Sequence, residues 1–139
     1  MKSSDEVTGE LEELKEDFEC LDSQIEKMQH IIDLAREFSN DDDSKQKEFQ
    51  IQGCVSDAFI ESRKNSQSQE ITIHYFADAL IIQGFLALIK SVLDNSSYQD
   101  LDTNVNLIEN FSKQVGLEQF LSPNRANALH NILTKLKSY

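Results

Sequence analysis

Apolar residues recur every three or four positions along the first third of the chain. This stripe consists of Leu11, Leu14, Phe18, Leu21, Ile25, Met28, Ile32 and Ala35. Such spacing predicts one apolar helical face. Ser23 followed by Glu26 is a capping-box pattern that starts a new helix. We therefore predict two consecutive helices, over about residues 9–21 and 24–38, and then a solvated loop at 40–44.

The middle of the chain alternates apolar and polar residues in short runs. Phe49 and Ile51 alternate with glutamines, apolar character resumes at residues 58–60, and residues 71–76 alternate again. This pattern, with short connections between the runs, predicts an antiparallel meander of three strands over about residues 48–76. His74 falls on the polar face of the third predicted strand, where a histidine is usually solvated.

The last third of the chain reads as helical. After Asp78, apolar residues fall almost all round the helix, so this element is expected to be central and buried. Asp78 itself is expected to complement the helix dipole and the unpaired amides at the helix start. Two further helices are predicted, one over about residues 104–115 that ends at Gly116, and one to about residue 136 with Ser122 as N-cap.

Arg125 is placed unusually within the last predicted helix. It falls in the first turn, where the helix dipole disfavours a cation. We therefore expect the Arg125 side chain to interact with a partner elsewhere in the structure, which would offset this unfavourable position.

Length and charge narrow the classes of function. A chain of 139 residues fits a single domain with a core of its own. It divides into an acidic helical segment at about 1–43, a sheet at about 48–76 and helices at about 78–137. The net charge of −12 argues against nucleic acid and anionic membranes as partners. Residues 1–43 hold 15 acidic and 4 basic side chains, a net −11, which we interpret as a solvated helical face.

The N-terminus and the cysteine content indicate the compartment. The first residues are acidic and lack the apolar stretch of a secretory signal. With only two cysteines, a reduced cytoplasmic location is expected.

Cys54 is the candidate for chemistry. It lies in the segment QGCVS, on a predicted loop between two strands, whereas Cys20 lies on the charged helical segment. A free cysteine is often only a small buried apolar side chain. For Cys54 the loop position, the permissive backbone of Gly53 and the hydroxyl of Ser56 favour a sulfur nucleophile instead. Nothing in the sequence around Cys20 favours a nucleophile over a small apolar side chain.

Other kinds of site find little support. An iron–sulfur scaffold needs several thiolate ligands, which two cysteines do not supply. His30, His74 and His130 are dispersed without metal-ligand spacing, and no nucleophile and base are evidently paired. The strongest alternative without sulfur chemistry is an acidic helical interaction module built on the stripe at 11–35.

The order of four segments resembles the SufE family of sulfur acceptors for cysteine desulfurases. These segments are IIDLAREF, IQGCVSDAFI, FADALIIQGFLALI and LEQFLSPNRANALHNILTKLK, and the resemblance spans about residues 14–137. It implies an α+β domain of the SufE/IscU-like fold, in which a small antiparallel sheet packs against helices. Cys54 matches the family's sulfur-accepting cysteine, Asp78 the aspartate at the start of its buried helix, and Arg125 the arginine of its C-terminal motif.

The resemblance also implies a function and partners. The family takes persulfide sulfur from a SufS-type cysteine desulfurase, stimulates that enzyme, and passes the sulfur to a downstream iron–sulfur scaffold protein. Pyridoxal phosphate belongs to the desulfurase, so no cofactor is expected on this chain. The protein is thus expected to be an accessory protein rather than a stand-alone enzyme, and either a monomer or a homodimer. Gly53, Ser56, Asp78 and Arg125 are candidate supporting or partner-contact residues.

Overall fold

A computed structural model describes residues 1–53 and 57–139 of the chain. Five helices and one antiparallel pair of strands make up its regular structure. In chain order they are α1 (Ser4–Glu19), α2 (Gln24–Leu34), β1 (Ala58–Lys64), β2 (Ile71–Ala77), α3 (Leu80–Leu93), α4 (Leu101–Gln114) and α5 (Pro123–Lys137). Short 3₁₀ turns lie at Ala35–Glu37, Asp42–Ser44, Lys47–Phe49, Tyr98–Asp100 and Leu117–Phe120.

The helix ends follow local capping chemistry. The Ser23 hydroxyl accepts a hydrogen bond from the Glu26 amide, so α2 begins where the capping pattern predicted. Ser122 caps α5 in the same way through the Arg125 amide, with Pro123 in the first turn. Gly116 follows α4 in the left-handed conformation, with φ +68°. These three predicted helix boundaries are confirmed.

α1 begins five residues earlier than predicted. Ser3 and Glu6 form a complete capping box there, in which the Ser3 hydroxyl accepts from the Glu6 amide and the Glu6 carboxylate accepts from the Ser3 amide. The capping pattern nearest the N-terminus therefore decides where the first helix starts.

α3 is the centre of the domain, as its pattern predicted. It packs against the other four helices and β2. Ten of its fourteen residues are buried, including Phe85, Leu86 and Leu93. The apolar stripe of the first two helices packs into the same core at Leu11 and Phe18, so this part of the stripe is used within the domain. Ile25, which the stripe placed on the apolar face, is instead 79% exposed.

The prediction of a three-stranded sheet is wrong, because the described part of the chain forms two strands. β1 and β2 pair with Ala58 opposite Ala77 and Lys64 opposite Ile71. The segment that was expected to form the first strand makes one bridge only, between Gln50 and Phe59.

The edge of β1 that faces away from β2 explains why the predicted third strand does not form. The chain leaves a 3₁₀ turn at Phe49 and bonds to this edge through the Ile51 amide and the Ala58 carbonyl, at 2.9 Å. The next acceptor on that edge, the Ile60 carbonyl, is taken by the Tyr139 hydroxyl at 2.6 Å. Burial raises the pKa of Tyr139 to about 12, which keeps the hydroxyl protonated, and thus a donor, further into the alkaline range. A side chain thus occupies the position that a third strand would need.

The outer edge of β2 is covered by loops rather than by a strand. The Asp41 amide donates to the Tyr75 carbonyl at 2.8 Å, and the Asn40 side chain bonds both the amide and the carbonyl of Ala77. The segment 40–44, predicted as a solvated loop, is therefore held against the sheet, and Ser44 is fully buried. This cover blocks pairing of β2 with another chain.

Candidate functional site

The candidate nucleophile lies between Ile51 and Ala58, whose backbone hydrogen bond closes the base of a connection. We refer to residues 52–57 of this connection as the Cys54 loop. Cys54, Val55 and Ser56 lie outside the described residues, so the predicted roles of Cys54 and Ser56 stay predictions. The structure does describe Gln52 and Gly53 on the N-terminal side of the loop and Asp57 on its C-terminal side.

The N-terminal side of the Cys54 loop is attached to α5. The side-chain amide of Asn131 donates a hydrogen bond to the Gln52 carbonyl at 2.8 Å. Gly53 has φ +79°, a conformation that favours glycine. A Cβ at this position would come within 2.5 Å of the Asn131 Nδ2 atom. The backbone conformation therefore favours glycine at position 53, whereas a larger residue would also have to displace the Asn131 side-chain amide.

The C-terminal side of the Cys54 loop is attached to the end of β2. The Asp78 amide donates to the Asp57 carbonyl at 3.2 Å, one residue beyond the paired Ala58 and Ala77. Both aspartates are exposed. The loop is therefore held at each end by a hydrogen bond to a different element of the domain.

The capping role predicted for Asp78 is wrong. The N-cap of α3 is Ala79, which has no side-chain capping hydrogen bond, and Asp78 lies one residue before it. A different side chain links the start of α3 to the preceding strand: the Gln83 amide donates a hydrogen bond to the Ala77 carbonyl at 2.8 Å. Asp78 meets the Cys54 loop through its backbone, which the sequence pattern did not indicate.

Arg125 lies apart from these contacts. Its amide donates to the Ser122 hydroxyl at the start of α5, and the residue is exposed. Six residues separate it from Asn131, which places it about 9 Å along the helix axis and about 120° around it. Among the residues that the structure describes, the Arg125 side chain forms no hydrogen bond or ion pair. The partner expected for this cation is not found in that part of the domain.

His74 is not simply solvated, as the sequence had suggested. Its Nδ1 atom lies 3.0 Å from an Asp41 carboxylate oxygen, and Arg63 approaches the same oxygen at 3.6 Å. The Asp43 amide, together with His74 and Arg63, lowers the pKa of Asp41 below its ordinary 3.8. This cluster fastens the segment 40–44 to the outer face of the sheet, a role that neither the run of aspartates nor the histidine signalled by itself.

Aromatic and apolar side chains lie close to the base of the Cys54 loop. Phe59, which bridges to Gln50, packs edge-on against Phe76 across the strand pair with ring centroids 6.3 Å apart. Leu80, two residues after Asp78, is 60% exposed. A single exposed apolar side chain is common on protein surfaces, so Leu80 by itself does not define a binding site.

Cys20, the second thiol, is exposed at the C-terminal end of α1. It is therefore accessible to reagents, and any thiol measurement on this protein must separate the two cysteines. Within the described residues, no group of three or more histidine, cysteine or acidic side chains is placed to hold a metal ion. In the same part of the chain, no helix is long and apolar enough to cross a membrane.

The fold and the site together define a small α+β domain with a cysteine-bearing loop fastened between a helix and a strand end. The model of the SufE family, described as an Fe–S metabolism associated domain, matches residues 12–139. The chain therefore belongs to the SufE family, which confirms the resemblance drawn from the sequence, and its role lies in iron–sulfur metabolism.

Individual relatives agree with this assignment. An uncharacterized SufE-like protein of Rhizobium meliloti (strain 1021) is 24% identical over 131 residues, which is 92% of each chain. The solution structure of a hypothetical protein from Thermus thermophilus superimposes with a TM-score of 0.71 at 18% identity, covering 92% of this chain and 90% of that one. This second likeness supports the fold.

Proposed function

We propose that this protein accepts sulfur from a cysteine desulfurase as a persulfide on Cys54, stimulates that desulfurase, and passes the sulfur to a downstream iron–sulfur scaffold protein. The observation that carries the proposal is the family match over residues 12–139, which includes the Cys54 loop. The hydrogen bonds of Gln52 and Asp57, which flank this part of the sequence, support it, because they anchor both sides of the connection to the domain.

The exchange requires only one thiolate on this chain. The Cys54 thiolate attacks the terminal sulfur of the desulfurase persulfide, a new S–S bond forms on Cys54, and the S–S bond of the donor breaks. The desulfurase cysteine leaves as a thiolate, and the proton of the terminal sulfur stays on the transferred sulfur. No net oxidation or reduction occurs, so the step needs no cofactor on this chain. Transfer to the scaffold repeats the same exchange.

The surroundings of the loop suit contact with a protein partner. Leu80 offers an exposed apolar side chain. Both outer edges of the strand pair are covered by other parts of the domain, so a partner strand is not expected to pair there. The acidic face belongs to α1, which is a different element from the Cys54 loop and α3. We expect the desulfurase to meet the Cys54 loop and the exposed start of α3 at Leu80 rather than the acidic helix.

The alternative of an acidic helical interaction module is weakened by the packing of its stripe. Leu11 and Phe18 are 5% and 1% exposed, because α1 packs against α3 and α4. An apolar face buried inside its own domain does not serve as a seam for another helix.

Mass spectrometry after incubation with a cysteine desulfurase and cysteine tests the proposal. The wild type and Cys20→Ser should gain sulfur mass, whereas Cys54→Ser should gain none and should fail to stimulate the desulfurase. Cys20→Ser is the matched control, since it removes the other, exposed thiol. Sulfur on Cys54→Ser, or desulfurase turnover that does not change as wild-type protein is added, would overturn the assignment.

A further inference from the structure

A groove opens between α1 and the C-terminal ends of α2 and α3. Its volume is about 240 Å³, and its apolar lining consists of Leu14, Leu34 and Val92. Val92 belongs to the core, whereas Leu14 and Leu34 are only partly buried and leave apolar surface open to solvent. The groove can therefore take up an apolar side chain from outside the domain.

The electrostatic potential of the groove is negative from two independent sources. Four carboxylates line it, from Glu10, Glu13, Asp17 and Glu37. Within the part of the chain that the structure describes, no cation pairs with Glu13, Asp17 or Glu37. In addition, α2 and α3 both end beside the groove, and the C-terminal end of a helix carries a partial negative charge.

One ammonium group of the protein already occupies an end of this groove. The Lys2 Nζ atom donates to the Glu10 carboxylate at 2.9 Å and to the main-chain carbonyls of Ser91 and Val92 at 3.1 and 3.0 Å. All three acceptors belong to residues that line the groove, and the Lys2 side chain is only 14% exposed. The groove thus binds a lysine head group, while its other three carboxylates have no such partner.

We propose that this groove is a docking surface for a basic amphipathic segment of a partner protein. An apolar side chain of that segment packs on Leu14 and Leu34, and the flanking lysines or arginines pair with the carboxylates of Glu13, Asp17 and Glu37. Charge complementarity of this kind selects the partner and speeds its approach. The combination of apolar and acidic lining favours a peptide segment over a small hydrophilic cation.

The groove lies at the opposite end of α3 from the Cys54 loop. Leu80, at the start of α3, and Val92 are separated by about 18 Å along the helix axis. A partner in the groove therefore leaves the Cys54 loop free for another. This surface goes beyond the proposed function and does not depend on it, since none of its contacts involves Cys54.

Fluorescence anisotropy at physiological salt, with a labelled peptide that alternates pairs of lysine and pairs of leucine, tests the groove. A second peptide with serine in place of leucine carries the same charge. The leucine peptide should bind at least about tenfold more tightly, because it alone buries apolar side chains. Equal binding of the two peptides, or no saturable binding of the leucine peptide, would overturn the proposal.

Two pairs of substitutions on α1 separate the groove from the general acidity of the helix. Glu13→Gln combined with Asp17→Asn should weaken binding of the leucine peptide about tenfold, as expected for the loss of two exposed ion pairs. Glu12→Gln combined with Glu16→Gln is the matched control, because both residues are exposed on the same helix but do not line the groove. It removes the same charge and should weaken binding less than about twofold. Equal losses in the two double variants would show that only net charge attracts the peptide and would reject the groove.

Discussion

Gly84 allows α3 to approach α2 more closely than any other residue would. A Cβ at this position would collide with the main-chain carbonyl oxygen of Ile31, and would lie 2.7 Å from both the carbonyl carbon and the Cγ2 of that residue. The carbonyl belongs to the backbone of α2 and cannot rotate away. Gly84→Ala must therefore push the two helices apart within a closely packed core.

The cost of this substitution follows from two opposing effects. Overpacking against a rigid neighbour costs about 3 kcal/mol, the upper part of the usual range. Replacing glycine with alanine inside a helix increases the unfolding free energy by about 1 kcal/mol, because alanine has the higher helix propensity. The net loss of unfolding free energy is about 2 kcal/mol. At about 2.1 cal/mol/K of unfolding entropy per residue, this lowers the melting temperature of a 139-residue chain by about 7 °C.

Gly9 provides a matched control in another helix. It lies within α1, and nothing stands within 4 Å of a Cβ built there. Gly9→Ala should therefore gain the helix propensity without the collision, about 1 kcal/mol, and raise the melting temperature by about 3 °C.

Thermal unfolding followed by circular dichroism compares the two variants directly. The same chemical change should move the melting temperature in opposite directions. A rise in Gly84→Ala that matches the rise in Gly9→Ala would refute the close approach of α2 and α3.

Two other predictions concern carboxylates. Asp78→Ala should change the unfolding free energy by less than about 0.5 kcal/mol, because Ala79 and not Asp78 is the N-cap of α3. Loss of a helix cap would cost about 1 kcal/mol. A fall of about 3 °C in the melting temperature would therefore show that Asp78 does cap α3. The pKa of Asp41 is lower in the folded protein than its ordinary 3.8, so its stabilising effect is present above that pH and is lost as the pH falls below about 4. Asp41→Asn should therefore lose less stability than the wild type during acid titration, and parallel curves for the two proteins would contradict the cluster with His74.

Local patterns in the sequence were enough to predict most of the helical structure. The start of α2 at Ser23, the start of α5 at Ser122 and the end of α4 at Gly116 depend on hydrogen bonds and backbone conformations within a few residues. The buried position of α3 follows from apolar residues on all its faces. The order of four segments was also sufficient to predict the family.

The tertiary structure decided what depends on distant parts of the chain. The expected first strand is reduced to a bridge because Tyr139, at the other end of the chain, occupies the edge of β1. Asp41 meets His74 across 33 positions, and Asn131 meets Gln52 across 79. Periodicity and capping describe only neighbours along one element. Which polar side chain reaches a strand edge or a loop is set by how the elements pack against α3, and that packing is not written in any single segment.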